Sequence, residues 1–120
     1  MSLGGMSNTQ LKSATFVAVG YGTVREEKEG AFQPLFWDPQ RRFAEQSALD
    51  LEPAWLNLSM NQATGDGGTC YGDSGGPHFL GATVVSLTVT GDVWCKVTDK
   101  TYRVDTQAAR DFLATFVTLP

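Results

Sequence analysis

The chain contains few of the residues from which metal sites are built. Its 120 residues include two cysteines, Cys70 and Cys95, and a single histidine, His78. Two thiols and one imidazole at such scattered spacing do not supply the four ligands of a tetrahedral metal site. The cysteines would form a disulfide in an oxidising compartment and would stay reduced in the cytosol. The sequence therefore predicts no metal and no other cofactor.

Positive charge and long apolar segments are also scarce. Lys and Arg total 9 against 13 Asp and Glu, which gives a formal net charge of −4, and no basic cluster is interleaved with aromatic residues. Such a chain is not expected to bind nucleic acid or an anionic membrane surface. No apolar run approaches the roughly 20 residues of a membrane-spanning helix. The mass of 13.0 kDa predicts one domain.

The amino-terminal residues lack the features of a signal peptide. Residues 1–5 carry neither a charged side chain nor a long apolar run, and a second Met follows at position 6. We interpret residues 1–13 as an expression scar or a disordered lead-in, and residues 14–120 as the folded domain. An export signal would then lie upstream of this chain.

Composition and apolar pattern favour a turn-rich β protein. Thirteen glycines and five prolines accompany only 18% charged residues, as in proteins with short strands joined by tight turns. The segments richest in strand-favouring residues are Thr15–Val19, Ala54–Met60, Gly81–Thr90 and Lys100–Val104. Arg25–Glu29 is interpreted as a charged hairpin tip. Arg41–Leu49 alternates only in part, and its helix-favouring residues leave a short helix as the competing interpretation.

The C-terminal segment has the pattern of an amphipathic helix. Thr106 is of the residue type that caps helix N-termini. The apolar residues that follow at helical spacing are Ala108, Ala109, Phe112, Leu113 and Phe116. We predict a helix of about ten residues that packs this face against the strands.

The most informative segment is a glycine-rich run. It reads Gly67-Gly68-Thr69-Cys70-Tyr71-Gly72-Asp73-Ser74-Gly75-Gly76-Pro77. Ser74 is a hydroxyl nucleophile with glycines close on both sides, which lets a substrate approach closely. The backbone N–H groups of Gly72 and Ser74 can point at one position, as an oxyanion hole requires. The alternative interpretation is a glycine-rich hairpin loop with an exposed serine.

The hexapeptide Gly72-Asp73-Ser74-Gly75-Gly76-Pro77 resembles the nucleophile motif of the chymotrypsin/trypsin-like serine proteases. Cys70 also stands in that family's place just upstream. The Gly20-Tyr21-Gly22 turn after the first predicted strand is similar to the family's turn at this point. The resemblance covers about residues 14–117 and corresponds to the second half of the family's fold.

The resemblance implies an all-β fold, a six-stranded antiparallel Greek-key β-barrel of the trypsin-like type with a C-terminal α-helix. This would be one of the family's two barrels. The resemblance also favours the strand interpretation of Arg41–Leu49. It also implies a disulfide between Cys70 and Cys95 across the substrate pocket, and closing a loop of this length would stabilise the fold by about 3 kcal/mol.

The family's chemistry implies Ser74 as the nucleophile, with the Gly72 and Ser74 amides as the oxyanion hole. The catalytic His and the Asp that orients it belong to the family's first barrel. His78 is interpreted as a surface or packed strand residue rather than the catalytic base. Asp73 matches the activation-pocket carboxylate, which in the family pairs with the amino terminus created by zymogen cleavage. Without that terminus, we expect Asp73 to be water-exposed or hydrogen-bonded locally.

The resemblance also implies a set of substrate-binding residues. These are Gly68, Tyr71, Ser86, Leu87, Thr88 and Lys100. Gly68 matches the pocket floor, where cleavage after Arg or Lys needs a carboxylate, so we expect no such specificity. The Ser86-Leu87-Thr88 segment would line one wall and pair with the substrate as an added strand.

These features predict the C-terminal half of a secreted trypsin-like serine endopeptidase that acts on polypeptides. The isolated chain is expected to be inactive because it lacks the triad His and Asp. One alternative is a catalytically dead, protease-derived binding or assembly module, and another is an unrelated small β domain with a chance motif. A lone half would expose the apolar face that two barrels share, so we expect self-association or a partner that carries the missing N-terminal barrel.

Overall fold

The computed structural model describes residues 2–25 and 34–120, and its centre is a closed antiparallel barrel of six strands. In chain order the strands are β1 (Thr15–Gly20), β2 (Val24–Arg25), β3 (Leu35–Phe36), β4 (Arg42–Leu51), β5 (Trp55–Ser59), β6 (Pro77–Leu80), β7 (Thr83–Gly91) and β8 (Thr98–Arg103). The barrel order is β1-β4-β5-β8-β7-β6, and β6 closes onto β1. Strands β2 and β3 pair with each other outside the barrel. The predicted six-stranded antiparallel barrel is thus confirmed.

Strand β4 resolves the ambiguity at Arg41–Leu49 in favour of the strand. Its residues pair with β1 from Ser47 opposite Thr15 to Arg42 opposite Gly20. Buried Gln46 and Ala48 alternate with exposed Glu45 and Leu49. This is the period of two that a strand requires, and burial inside the barrel outweighs the helix propensity of the individual residues.

The apolar core fills one part of the barrel interior. Its buried members are Leu3, Leu11, Phe16, Ala48, Leu56, Leu58 and Val85. Leu56 and Leu58 lie on the face of β5 that alternation predicts, and Met60 continues that face and is also buried. The side chains of Asn57 and Ser59 are buried as well, so β5 is covered on both faces rather than half-buried.

The expectation that residues 1–13 form a disordered lead-in is wrong for the described residues. A 3₁₀ turn spans Leu3–Gly5, and helix α1 spans Asn8–Ser13. Leu3 and Leu11 both belong to the core. A capping box between Ser7 and Gln10 starts the helix. This Ser-x-x-Gln pattern before an apolar residue is visible in the sequence, and it predicts an ordered helix start.

The amino-terminal turn is fastened to the other end of the chain by Asp105. The Leu3 amide donates to Asp105 Oδ2 at 2.7 Å, and the Arg103 guanidinium donates to both carboxylate oxygens at 2.9 Å. Burial opposes ionisation of Asp105. The Arg103 hydrogen bonds and charge, together with the Leu3 and Gly4 amides, outweigh it and hold the pKa of the carboxyl below its ordinary value.

A polar cluster occupies another part of the barrel interior. His78 Nε2 lies 2.9 Å from Asp99 Oδ2, and the same oxygen accepts a hydrogen bond from Gln46 Nε2 at 3.1 Å. All three side chains are almost fully buried. Of the two positions that the sequence left open for His78, on the surface or packed in a strand, the structure shows the packed one. The His78 ring nitrogen is held by a carboxylate inside the barrel.

Helix α2 (Gln107–Leu113) confirms the predicted C-terminal helix but is shorter than expected. The Thr106 hydroxyl accepts the Ala109 amide, as an N-cap does. Ala109 is buried, whereas Phe112 and Phe116 are 66% and 71% exposed. Part of the apolar stripe therefore faces away from the barrel.

No helix among the described residues has the length and apolar character needed to cross a bilayer. The sequence predicts a charged hairpin tip at Arg25–Glu29. Only its first residue, Arg25, lies within the described residues.

The Asp105 link predicts a specific loss of stability in acid. Because the folded-state pKa of Asp105 lies below its ordinary value of 3.8, its stabilisation is fully present above that value and disappears as the pH falls through the folded-state pKa. Asp105→Asn should lower the free energy of unfolding by about 1–3 kcal/mol at pH 7. Below about pH 4 it should flatten the pH dependence. Urea unfolding between pH 7 and pH 2.5 measures both effects.

The matched control is Asp111→Asn, on the exposed side of α2. Parallel pH profiles for wild type and Asp105→Asn would contradict the assignment.

Candidate functional site

The loop between β5 and β6 presents Ser74 to solvent through two consecutive tight turns. The Asp73 amide donates to the Cys70 carbonyl at 3.0 Å, and the Gly76 amide donates to the Asp73 carbonyl at 2.8 Å. Gly72 and Gly75 have φ angles of 98° and 83°, a region that only glycine enters without strain. The glycines on both sides of Ser74 are therefore required by the backbone path.

The carboxylate of Asp73 holds this loop against the end of β1. Its Oδ1 accepts the Gly22 amide at 2.8 Å, and its Oδ2 accepts the Cys70 amide at 2.9 Å. Of the expected alternatives for Asp73, water exposure or local hydrogen bonding, the Cys70 bond fits the second, whereas the Gly22 bond reaches 51 residues back along the chain. An ideal Cβ on Gly20 or Gly22 would collide with the Asp73 carboxylate. The Gly20-Tyr21-Gly22 turn therefore has the space that this carboxylate needs.

Two backbone hydrogen bonds attach the end of the same loop to β7. The Gly75 amide donates to the Thr88 carbonyl at 2.8 Å, and the Thr88 amide donates to the Gly76 carbonyl at 2.9 Å. Within residues 2–25 and 34–120, the Gly72 and Ser74 amides donate to no protein acceptor. Both residues are exposed.

The predicted disulfide is present and joins the Ser74 loop to the loop between β7 and β8. The Cys70 and Cys95 sulfurs are bonded, with their Cα atoms 5.4 Å apart. Arg25 Nη2 donates to the carbonyls of Trp94 and Cys95 at 2.6 and 2.7 Å. The Tyr71 hydroxyl donates to the Val93 carbonyl at 2.8 Å. A covalent bond and three hydrogen bonds to backbone carbonyls thus fix this second loop.

A cavity of about 290 Å³ lies between these two loops and opens beside Ser74. Its lining residues are Met60, Thr69, Cys70, Tyr71, Ser74, Thr88, Val89, Thr90, Gly91, Asp92, Val93 and Cys95. Of the substrate-binding residues predicted from the sequence, Tyr71 and Thr88 are in this set. They lie in the same cavity as the Ser74 side chain.

The other predicted substrate-binding residues lie elsewhere. Gly68 packs against Met60 and borders neighbouring cavities instead. Ser86 is buried in the barrel, where its hydroxyl accepts that of Thr101 at 2.8 Å. Leu87 borders a cavity on the α2 side. Lys100 lies with its ammonium 5.0 Å from the centroid of the Trp55 ring.

The wall of the cavity is therefore Thr88-Val89-Thr90, two residues beyond the predicted segment. The register of β6 against β7 shifts between His78 and Phe79, and that of β7 against β8 shifts between Thr88 and Thr90. Such irregularities change which side chains face a given side of the sheet. A sequence pattern of period two does not reveal them.

Met60 and Asp92 are site residues that the sequence analysis did not identify. Met60 is buried at the base of the cavity. The Asp92 carboxylate accepts the amides of Val97, Lys96 and Thr98 at 2.8–3.2 Å. Burial opposes ionisation of Asp92, but these hydrogen bonds outweigh it and lower the pKa of the carboxyl. The Gly91-Asp92 pair is a recognisable turn signal, and an aspartate there can accept amides a few residues ahead.

The sequence matches no known family model, and no curated protein matches it. The assignment of roles to the residues around Ser74 therefore depends on the geometry and on the motif.

The hydrogen bonds from the Gly22 and Cys70 amides to the Asp73 carboxylate, here called the Asp73 clamp, predict that two glycine substitutions differ in their effect on stability. Gly22→Ala should displace the Asp73 carboxylate and lower the free energy of unfolding by about 1–3 kcal/mol. It should also speed hydrogen exchange at the Cys70 amide, because that amide loses its acceptor. Gly5→Ala is the matched control, since a Cβ there has no neighbour within 4 Å. Equal stability and exchange in the two variants would contradict the clamp.

Proposed function

We propose that this chain is the nucleophile-bearing half of a secreted serine endopeptidase of the trypsin-like type, acting on polypeptides. The observation that carries the proposal is the position of Ser74. It is exposed on a loop held by Asp73 and borders a cavity large enough for a substrate side chain. The motif at Gly72–Pro77 and the Cys70–Cys95 disulfide are consistent with it.

The strand order supports the same assignment. Strand β5 is followed in the chain by β6, yet its barrel neighbours are β4 and β8. The last three strands run back as β8-β7-β6 to close on β1. This is the type of connection that a Greek-key barrel contains. The disulfide favours an oxidising, extracytoplasmic compartment.

In the proposed reaction the Ser74 Oγ attacks the carbonyl carbon of a peptide bond. The hydroxyl proton passes to a general base, and the Gly72 and Ser74 amides donate to the oxygen as it gains negative charge. The C–N bond then breaks and the amine leaves with that proton. Water hydrolyses the ester on Ser74, which restores the hydroxyl.

The base in this scheme comes from outside the described chain. The sequence contains one histidine, and its side chain is buried and bonded to Asp99. His78 does not border the Ser74 cavity. A serine without a base is a weak nucleophile at neutral pH. The proposal therefore requires a partner that supplies the His and the orienting Asp, as the first barrel of the family does.

Covalent labelling with a fluorophosphonate in the presence of added imidazole tests the proposal. The isolated chain should label slowly, because no base reaches Ser74. Imidazole should raise the labelling rate at Ser74, whereas exposed Ser2 and Ser13, mapped by mass spectrometry in the same sample, should not respond. Ser74→Ala should abolish the imidazole-dependent product.

Two results would overturn parts of this assignment. If Ser74 labels no faster than Ser2 and Ser13 at any imidazole concentration, the site has no oxyanion hole and the chain is not a protease half. Rapid labelling without imidazole would show instead that a base is already present. The requirement for a partner would then be wrong.

A binding or assembly module is the second candidate function, and one surface favours it. Phe112 and Phe116 lie with their ring centroids 5.2 Å apart on the outer side of α2 and its following turn, and Val117 beside them is also exposed. Soluble monomers rarely expose apolar patches of this kind without a function. We expect this surface to serve a second copy of this chain.

We therefore expect the isolated chain to self-associate through this surface. Phe112→Glu combined with Phe116→Glu should shift the molar mass toward the monomer in light scattering after size-exclusion chromatography, because charge on an apolar contact is costly to desolvate. Ala63→Glu adds a charge at an exposed position away from α2 and is the control. A wild-type chain that stays monomeric across the concentration range would contradict this expectation.

A further inference from the structure

We infer that the cavity beside Ser74 binds an uncharged, apolar side chain of a peptide, an assignment that rests on the function proposed above. The selecting residues are Met60 at the floor, Asp92 in the loop between β7 and β8, and Thr90 on the wall. Among the sequence-predicted site residues, Tyr71 and Thr88 line the cavity, and Gly68 acts indirectly by making room for Met60.

The floor of the cavity is a thioether. Met60 is 2% exposed and borders the cavity. Its side chain lies between two glycines, because an ideal Cβ on Gly68 would collide with Met60 Cγ and Sδ, and one on Gly91 would lie 3.4 Å from Met60 Cε. A polarisable sulfur at the base of a cavity favours apolar and aromatic groups. It offers no charge to a lysine, arginine or acidic side chain.

The one carboxylate in the lining is already occupied. Asp92 Oδ1 accepts the amides of Val97 and Thr98 at 2.8 and 3.0 Å, and Oδ2 accepts the Lys96 amide at 3.0 Å. These three amide hydrogen bonds commit the carboxylate to stabilising its own loop and leave it fewer acceptor positions for a ligand. A cationic side chain in the cavity would therefore lose its hydration shell without gaining a free carboxylate, which is unfavourable.

The remaining lining is neutral. Val89 and Val93 are exposed at the rim, and Trp94 and Val97 extend this apolar rim along the loop between β7 and β8. Thr88 Oγ1 is buried and has no hydrogen-bond partner within the described residues. Because this oxygen is buried, the Thr88 side chain adds neither charge nor an accessible hydroxyl to the wall.

Binding of small amino-acid probes to Ser74→Ala protein tests the selectivity without requiring catalysis. The probes are the N-acetyl, N-methylamide derivatives of Leu, Met, Lys and Glu, followed by the backbone amide NMR signals of Thr69, Val89 and Gly91. Leu and Met probes should shift these signals with dissociation constants at least about tenfold lower than those of the Lys and Glu probes.

A variant that adds a negative charge to the cavity tests the same selectivity in the opposite direction. Thr90 is exposed on the cavity wall, so Thr90→Asp places a free carboxylate there without disturbing the core. It should strengthen binding of the Lys probe by about tenfold and weaken binding of the Leu probe. Ala63→Asp introduces the same charge at an exposed site outside the cavity and should change neither constant.

The outcomes separate this inference from the proposed function. Lys or Glu probes that bind as tightly as Leu would overturn the inference, as would no binding of any probe up to its solubility limit. Selective binding of Leu and Met combined with no imidazole-dependent labelling of Ser74 would leave the cavity assignment intact and remove the protease proposal. Labelling with the opposite selectivity would remove only the inference.

Discussion

The Asp73 carboxylate joins the end of β1 to the loop that carries Ser74, and the geometry of the site depends on this contact. A partly buried carboxylate is costly unless its oxygens are hydrogen-bonded. Here the Gly22 and Cys70 amides supply those bonds, one to each oxygen. Because Gly20 and Gly22 have no side chains, the carboxylate fits against β1. The barrel, rather than the loop alone, therefore sets the direction of Ser74.

Other aspartates in the molecule also accept backbone amides, some of them from distant segments, so part of the acidic composition has a structural role. Asp66 accepts the Ser47 amide and hydroxyl at 2.9 Å each and links the loop after β5 to β4. Asp92 organises the loop between β7 and β8, and Asp105 fastens the amino-terminal turn. The pKa of each of these three carboxyls is lowered, in spite of burial, by the donors that surround it. The loops of this small barrel are ordered largely by carboxylates that accept backbone amides.

The barrel interior is divided between an apolar core and a polar cluster, and this division explains why the only histidine is not at the site. His78 and Asp99 lie on β6 and β8 and meet inside the closed barrel together with Gln46 of β4. A pair of this kind is costly to bury, and removing either partner leaves an uncompensated polar group. The pair is buried inside the barrel, whereas Ser74, four residues before His78, is exposed to solvent.

The sequence by itself determined most of the strands, the C-terminal helix and the glycine-rich Ser74 loop, because these follow from local periodicity, capping residues and glycine spacing. It left Arg41–Leu49 open between strand and helix, and pairing with β1 decided for the strand. Thr106 caps α2, and glycines flank Ser74, as local rules require. The sequence predicted Tyr71 and Thr88 in the cavity lining, and tertiary structure decided the rest. Strand irregularities accompany the replacement of Ser86 and Leu87 by Val89 and Thr90 in the cavity lining, and the fold of the loop after β5 places Met60 against Gly68. Packing also ordered the amino-terminal turn through Leu3 and Asp105, which are about a hundred residues apart in the chain. Contacts between such distant residues arise only when the barrel closes, and a local sequence pattern carries no record of them.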